Sequence, residues 1–279
     1  RDSLRRHPAI VDIFEADVLY ATARFLTDND LWGMKWLEAD RNNLKPLHNI
    51  LENAPLRFLG LDIEVLPPEF GVPIPERDPI TIISISFNTG NTLVLVAKPG
   101  QDTENIKYFP DEFWMLSTFM EVVQDYDPDI VMSFNGNNFD FPYIEKRLEL
   151  LGIPNNMGRD QSPFQIKQFG ASKEVNITGR ATIDLLDAIK LNYSLTSYSL
   201  ENVSKTLLNR PKLDIKASEM REIWLNGSES KLRSFLDYAG RDADLLQDII
   251  KELKLIDRYI NISKECGLLL HETINGGQS

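Results

Sequence analysis

Residues 57–65, Arg-Phe-Leu-Gly-Leu-Asp-Ile-Glu-Val, constrain the fold more than any other stretch of the chain. Apolar residues lead into two carboxylates, Asp62 and Glu64, one residue apart. On a strand side chains alternate between faces, so the two acids project the same way, about 6–7 Å apart along the backbone. Like charges so close raise each other's proton affinity unless a cation lies between them. A divalent metal is the common solution. A solvated acidic edge face is the plain alternative, and on the tripeptide alone it is the favoured reading.

The rest of the sequence places that strand in a mixed α/β pattern. Ile80–Phe87 is β-branched and apolar, and Asn88-Thr-Gly-Asn91 turns the chain into a third strand, Thr92–Ala97. These predict an antiparallel meander. The proline-rich segment Leu66–Pro79 between the first two strands is expected as an extended loop. Apolar residues at helical spacing predict helices over 112–125 and 139–151, with a short buried strand, Ile130–Phe134, between them. Ile166–Phe169 and Glu174–Leu186 are expected as a hairpin. Leu200–Leu207 is expected as a helix capped by Ser199, and Lys231–Arg258 as one long helix. Ahead of the meander, residues 8–30 have mixed spacing, Trp32–Leu37 is expected to be extended, and Asn42–Pro55 reads as a linker. The fold class is α/β: a mixed sheet flanked by helices.

Composition narrows the function less than the strand does. The net charge of −12 argues at first against nucleic acid. Residues 57–150 carry 6 basic and 16 acidic side chains, whereas residues 151–279 carry 17 of each. The acidity is therefore local to the carboxylate strand, where bound metals could offset it. A single cysteine, Cys266, excludes an internal disulfide and a cysteine-built zinc site. No run of eighteen apolar residues occurs, so no membrane span is expected, and an intracellular location is. The first residues resemble neither a leader nor a natural start, and a trimmed fragment is expected.

Two further stretches could complete a site. Asp140 closes Ser133-Phe-Asn-Gly-Asn-Asn-Phe-Asp, after a buried strand and at the entry to a helix. That is a common ligand position, though an Asp there can equally be a helix cap. Within the same run, Asn135 can hydrogen-bond a base or sugar and Phe139 can stack on a base. In Tyr238-Ala-Gly-Arg-Asp242, residues four apart share one helical face, so the phenol and the carboxylate are neighbours. The small Ala239-Gly240 pair between them would leave room for backbone or substrate.

Asp-Ile-Glu, Asn-Gly-Asn-Asn-Phe-Asp and Tyr-x3-Asp, in this order and spacing, resemble the three exonuclease motifs of archaeal family B DNA polymerases. The likeness extends to Asp12–Leu37, Gly158–Ile189, Tyr198–Val203 and Gly276-Gly-Gln. It implies a ribonuclease H-like fold with an inserted β-hairpin. It also implies a 3′–5′ proofreading exodeoxyribonuclease of a DNA-directed DNA polymerase, using two Mg2+ or Mn2+ ions. By the same resemblance, Asp62 bridges the ions, Glu64 and Asp242 complete one, Asp140 holds the other, and Tyr238 orients the attacking water. Asn135 and Phe139 hold the single-stranded 3′ end. Residues 1–56 correspond to the end of the polymerase N-terminal domain, 57–265 to the exonuclease, and 266–279 to the connection toward the palm. Implied partners are the palm, fingers and thumb and a sliding clamp, in a cytoplasmic, nucleoid-associated setting. No Asp-x-x-Ser-Leu-Tyr-Pro or Asp-Thr-Asp motif is present, so DNA synthesis by this chain alone is not expected. A catalytically silent DNA-positioning module is the alternative.

Overall fold

A computed structural model describes residues 25–275 apart from 27, 32, 42, 171 and 211–216. The chain divides into two compact units, one of residues 1–54 and 257–276 and the other of residues 55–256 and 277–279. Most of the entry segment and the Gly276-Gly-Gln stretch lie outside the described residues.

In the first unit, β1 (Leu37–Ala39) and β2 (Leu44–Pro46) form an antiparallel hairpin. The strand thus begins where an extended segment was expected to end, and the stretch read as a linker contains its partner. Three-residue strands carry too short a pattern to be seen in sequence. Trp36 Nε1 donates to the Glu52 carbonyl at 2.7 Å, and Lys264 Nζ donates to Asn53 Oδ1 at 2.7 Å.

The second unit is built on a six-stranded mixed sheet. Its strands are β3 (Phe58–Val65), β4 (Ile80–Phe87), β5 (Thr92–Val96), β6 (Ile106–Tyr108), β7 (Ile130–Ser133) and β10 (Ala181–Asp184), in the order β10-β7-β3-β4-β5-β6. The meander is antiparallel as expected, closed by the 87–91 turn, where Phe87 N–H donates to the Asn91 carbonyl. β7 and β10 add to β3 in parallel. Helix α1 (Glu112–Tyr126) connects β6 to β7, and α2 (Asp140–Leu151) follows β7. Strands β8 (Gln165–Phe169) and β9 (Ser172–Asn176) form a separate antiparallel hairpin. Four more helices complete the unit up to its boundary: α3 (Leu185–Asn192), α4 (Leu200–Leu208), α5 (Ala217–Asn226) and α6 (Glu229–Glu252). Helices α7 (Leu255–Cys266) and α8 (Leu270–Asn275) follow. No described helix is long and apolar enough to cross a membrane.

Two expectations are corrected. The strand predicted over 174–186 is three elements, because a turn at Thr178–Gly179 ends β9 and moves the chain to β10. Asp184 then accepts the Leu186 N–H at 3.0 Å and starts a helix. The helix predicted over 231–258 is two, since α6 ends at Glu252 and Lys254 takes a left-handed conformation (φ 49°) before α7. The Ser199 cap is present, accepting the Asn202 N–H at 3.2 Å.

The pleat of β3 assigns its faces. Leu59, Leu61 and Ile63 pack with Ile83, Ile85 and Leu95 under Leu116 and Phe119 of α1 and Phe141 and Ile144 of α2. The opposite face carries Gly60, Asp62 and Glu64, and α6 packs on that side against β3, β4 and β5. Ser86 Oγ donates to the Ala243 carbonyl at 2.7 Å, and Gln247 Nε2 to the Ser86 carbonyl at 3.1 Å. Close approach depends on Gly60, where a Cβ would fall 2.4 Å from Ser86 Oγ and 3.3 Å from Leu246.

At the opposite end of the sheet, Asp127 gathers three guanidinium groups. Arg57 Nη2, Arg159 Nε and Arg180 Nη1 each donate to it at 2.7 Å, joining the starts of β3 and β10 to the end of α1. Its hydrogen bond from Arg159, with that from Arg180, holds the carboxyl at about 2, below an ordinary 3.8.

Two tests follow from this packing. Because the folded-state pKa of Asp127 is depressed, its contribution is fully present above about 4 and is lost as pH falls toward 2. The side chain is more than a third exposed, so screening reduces the effect to about 1 kcal/mol. Urea unfolding of Asp127→Asn at pH 7 should show that loss, and its deficit against wild type should shrink at pH 3. Gly60→Ala should displace the Ser86 hydroxyl from α6 and cost about 1–3 kcal/mol in the same measurement.

Candidate active site

Helix α6 delivers its residues to β3 in step with the strand. Four helical residues rise about 6 Å and two strand residues about 6.6 Å, so a stripe at i, i+4 runs alongside alternate strand positions. Leu246 lies over Gly60, and one turn back along the helix Asp242 reaches Asp62 and Glu64. One carboxylate oxygen from each of the three acids lies within 4.8 Å of the others. Asp242 is buried, and Asp62 and Glu64 are partly so. The pairing of β3 with β4 shifts register between Glu64 and Val65, a bulge that ends the regular ladder beside the cluster. Thr81 Oγ1 fixes the distorted strand by donating to the Glu64 carbonyl at 2.9 Å.

Asp140 is the first residue of α2, and Phe139 occupies the cap position without a side-chain bond. The capping alternative for Asp140 therefore fails. β7 pairs with β3 only as far as Gly60, which leaves the next part of that β3 edge without a strand partner. Asp140 Oδ1 accepts the Ile63 N–H there at 3.1 Å, between the two acids of the strand. It lies outside the three-carboxylate group but is anchored to the same backbone. Burial drives the Asp140 carboxyl well above the usual range, and the Ile63 N–H opposes this.

Tyr238 lies one turn from Asp242 on α6, 9 % exposed, with its ring stacked against Phe235 at 6.5 Å. The small residues between them face the sheet rather than an open site. A Cβ on Gly240 would meet Val94 Cγ2 of β5 at 3.2 Å, so the glycine serves helix–sheet contact. Asn135 has φ 63°, and its side chain accepts from Asn138 Nδ2 at 3.1 Å. Phe139 is half-buried with its ring 5.4 Å from that of Tyr143. Both lie on the loop that leads to Asp140.

Sequence reasoning missed Asp184. Its buried carboxylate accepts the N–H groups of Asn135 at 2.8 Å, Asn137 at 3.0 Å and Leu186 at 3.0 Å. It thereby shapes the loop that presents Asn135, Phe139 and Asp140. Burial pushes it up to about 6 against the pull of those donors. The signal was an Asp at a strand end before Leu-Leu, concealed by reading 174–186 as one strand.

Three converging carboxylates offer only oxygen donors, a set that suits a hard divalent cation such as Mg2+ or Mn2+. A cation there would offset the mutual repulsion that the fold imposes.

Comparison with known proteins agrees with this architecture. Residues 11–203 match the family model described as DNA polymerase family B, exonuclease domain. The DNA polymerase of Pyrococcus horikoshii is 33 % identical over 255 residues, covering 90 % of this chain and 18 % of its own length. A DNA polymerase from a Desulfurococcus species is 33 % identical over 255 residues, covering 90 % and 30 %. The Thermococcus kodakarensis enzyme is 32 % identical over 252 residues, covering 90 % and 14 %. The chain thus spans less than a third of the length of these relatives. The family B DNA polymerase of the hyperthermophilic archaeon Pyrobaculum calidifontis superposes with a TM-score of 0.76 at 24 % identity, over all of this chain and 36 % of that one. That likeness concerns the fold, a mixed sheet flanked by helices in keeping with the ribonuclease H-like class. With a carboxylate cluster on such a sheet and the family model matching residues 11–203, most of the sequence, this chain belongs to the exonuclease-domain family of the family B DNA polymerases.

Proposed function

We propose that the chain is the 3′–5′ exodeoxyribonuclease of a DNA-directed DNA polymerase, removing the terminal nucleotide of a frayed or mispaired primer. The observation that carries this reading is the convergence of Asp62, Glu64 and Asp242 within 4.8 Å from a strand and a helix far apart in sequence. Residues 57–265 form the nuclease in this reading, 1–56 the end of the preceding domain, and 266–279 the path toward the palm.

Asp62, Glu64 and Asp242 would hold one divalent cation, and Asp140 with Asp62 a second. Such ions supply a nucleophile at neutral pH and stabilise charge on the attacking and leaving oxygens of a phosphodiester. The chain's own residues do the remaining work. Tyr238, one turn from Asp242, orients the attacking water through its phenol. Phe139 offers a ring on which the terminal base stacks, and Asn135 a polar group for the sugar or base. Asp184 holds the loop carrying both through three backbone donors. A mispaired end costs less to unpair, so the site edits without reading sequence. The polymerase palm, fingers and thumb, and a clamp, are the partners this role implies. The gathered acids speak against a silent DNA-positioning module, for which mutual repulsion would bring no benefit.

Asp62→Ala should abolish Mg2+-dependent degradation of a single-stranded DNA oligonucleotide, with melting temperature equal to or above wild type because a like-charge contact is removed. With the wild-type chain, a 5′-labelled strand should give a descending ladder and a 3′-labelled strand should release labelled mononucleotide first. The reverse pattern would refute the assigned polarity. Asp184→Asn keeps an acceptor but loses part of the three-donor set, and should lower the cleavage rate about tenfold while Mn2+ affinity stays near wild type.

A further inference from the structure

Ser84 of β4 pairs directly with Asp62 of β3. Paired residues on neighbouring antiparallel strands project from the same face, with Cβ atoms about 5 Å apart. The Ser84 hydroxyl therefore faces the side of the sheet that carries Asp62 and Glu64 and that Asp242 approaches from α6. Ser84 is 1 % exposed, and its Oγ has no hydrogen-bond partner among the described residues. Ser86, two residues along the same face, differs, since its hydroxyl is consumed by the Ala243 carbonyl of α6. Within the sheet, the other adjacent residues on this face are Ile82 on its own strand and Val94 across the ladder on β5, both apolar. A buried hydroxyl with no bond costs free energy that alanine at the same place would avoid. Position 84 thus holds a polar atom that the fold itself does not use, on the face of the sheet that carries the carboxylates.

We propose that Ser84 is a positioning residue of the carboxylate site, its hydroxyl hydrogen-bonding to the hydrated divalent cation that Asp62, Glu64 and Asp242 hold. The inference rests on the reading of those acids as a cation site. A hydroxyl both donates and accepts, so it can meet either a carboxylate oxygen or the hydration shell that Mg2+ gives up reluctantly. Groups just outside a ligand set fix ligand orientation and contribute to affinity without ligating the metal.

Calorimetric Mn2+ titration of the 279-residue chain, with apo melting temperatures, tests this on wild type, Ser84→Ala and Asp62→Asn. Ser84→Ala should weaken Mn2+ binding about tenfold while the apo melting temperature stays level or rises. Asp62→Asn should remove measurable binding. Unchanged affinity in Ser84→Ala, with binding lost in Asp62→Asn, would overturn the role of Ser84 alone. Full affinity in Asp62→Asn would overturn the cation site and the inference with it. Should Ser84→Ala lower the apo melting temperature, Ser84→Thr, which keeps the hydroxyl, decides. Affinity near wild type supports the proposal, and alanine-like affinity overturns it.

Discussion

The contact between α6 and β3 sets the chemistry of this molecule, because a helix turn and a two-residue strand step have nearly the same length. That coincidence lets Leu246 and Asp242 keep pace with Gly60 and Asp62, so packing at one end of the contact fixes the carboxylate geometry at the other. The register is secured by Ser86 and Gln247, which tie the helix to β4, and by the missing side chain at Gly60. An apolar contact of this kind has no directional preference of its own. The hydrogen bonds and the absent Cβ turn it into a specific alignment.

Electrostatics then works against the fold at that point. Asp62, Glu64, Asp140 and Asp242 are drawn toward one region by backbone and apolar packing, and carboxylate oxygens of Asp62, Glu64 and Asp242 lie within 4.8 Å of one another. The opposite end of the sheet is arranged in the reverse sense, with Asp127 receiving three arginines and held strongly acidic. One end stabilises the strand starts with satisfied charge. The other brings like charges together, an arrangement that a divalent cation would relieve.

How much of this was legible in the sequence depended on the length of each pattern. Eight-residue strands such as Phe58–Val65 and Ile80–Phe87, and helices as long as Glu112–Tyr126, carry enough alternation or periodicity to identify themselves. The split of 174–186 was hidden because β-branched and apolar residues continue through Thr178–Gly179 and into Leu185. Sequence periodicity does not report where a chain changes sheets. The break at Lys254 escaped for a similar reason, as apolar spacing continues from α6 into α7 across a single left-handed residue. Asp62, Glu64 and Asp242 were visible as motif residues and the resemblance implied that they meet, but the packing that brings them together was not legible, because it depends on which face of β3 the helix covers. Asp184 and Ser84 carry no motif. Their significance comes only from what they bond to, or leave unbonded, in three dimensions.

The distance along the chain between the acids has a consequence for how the protein is made. Asp62 and Asp242 are separated by 180 positions, and α6 follows every strand of the sheet. Closing so long a loop is slow relative to forming the local meander, and synthesis from the N-terminus delivers α6 after every strand it packs on. The sheet can assemble on the ribosome while the carboxylate cluster remains open. The cluster is therefore completed only when α6 docks on a sheet that has already formed.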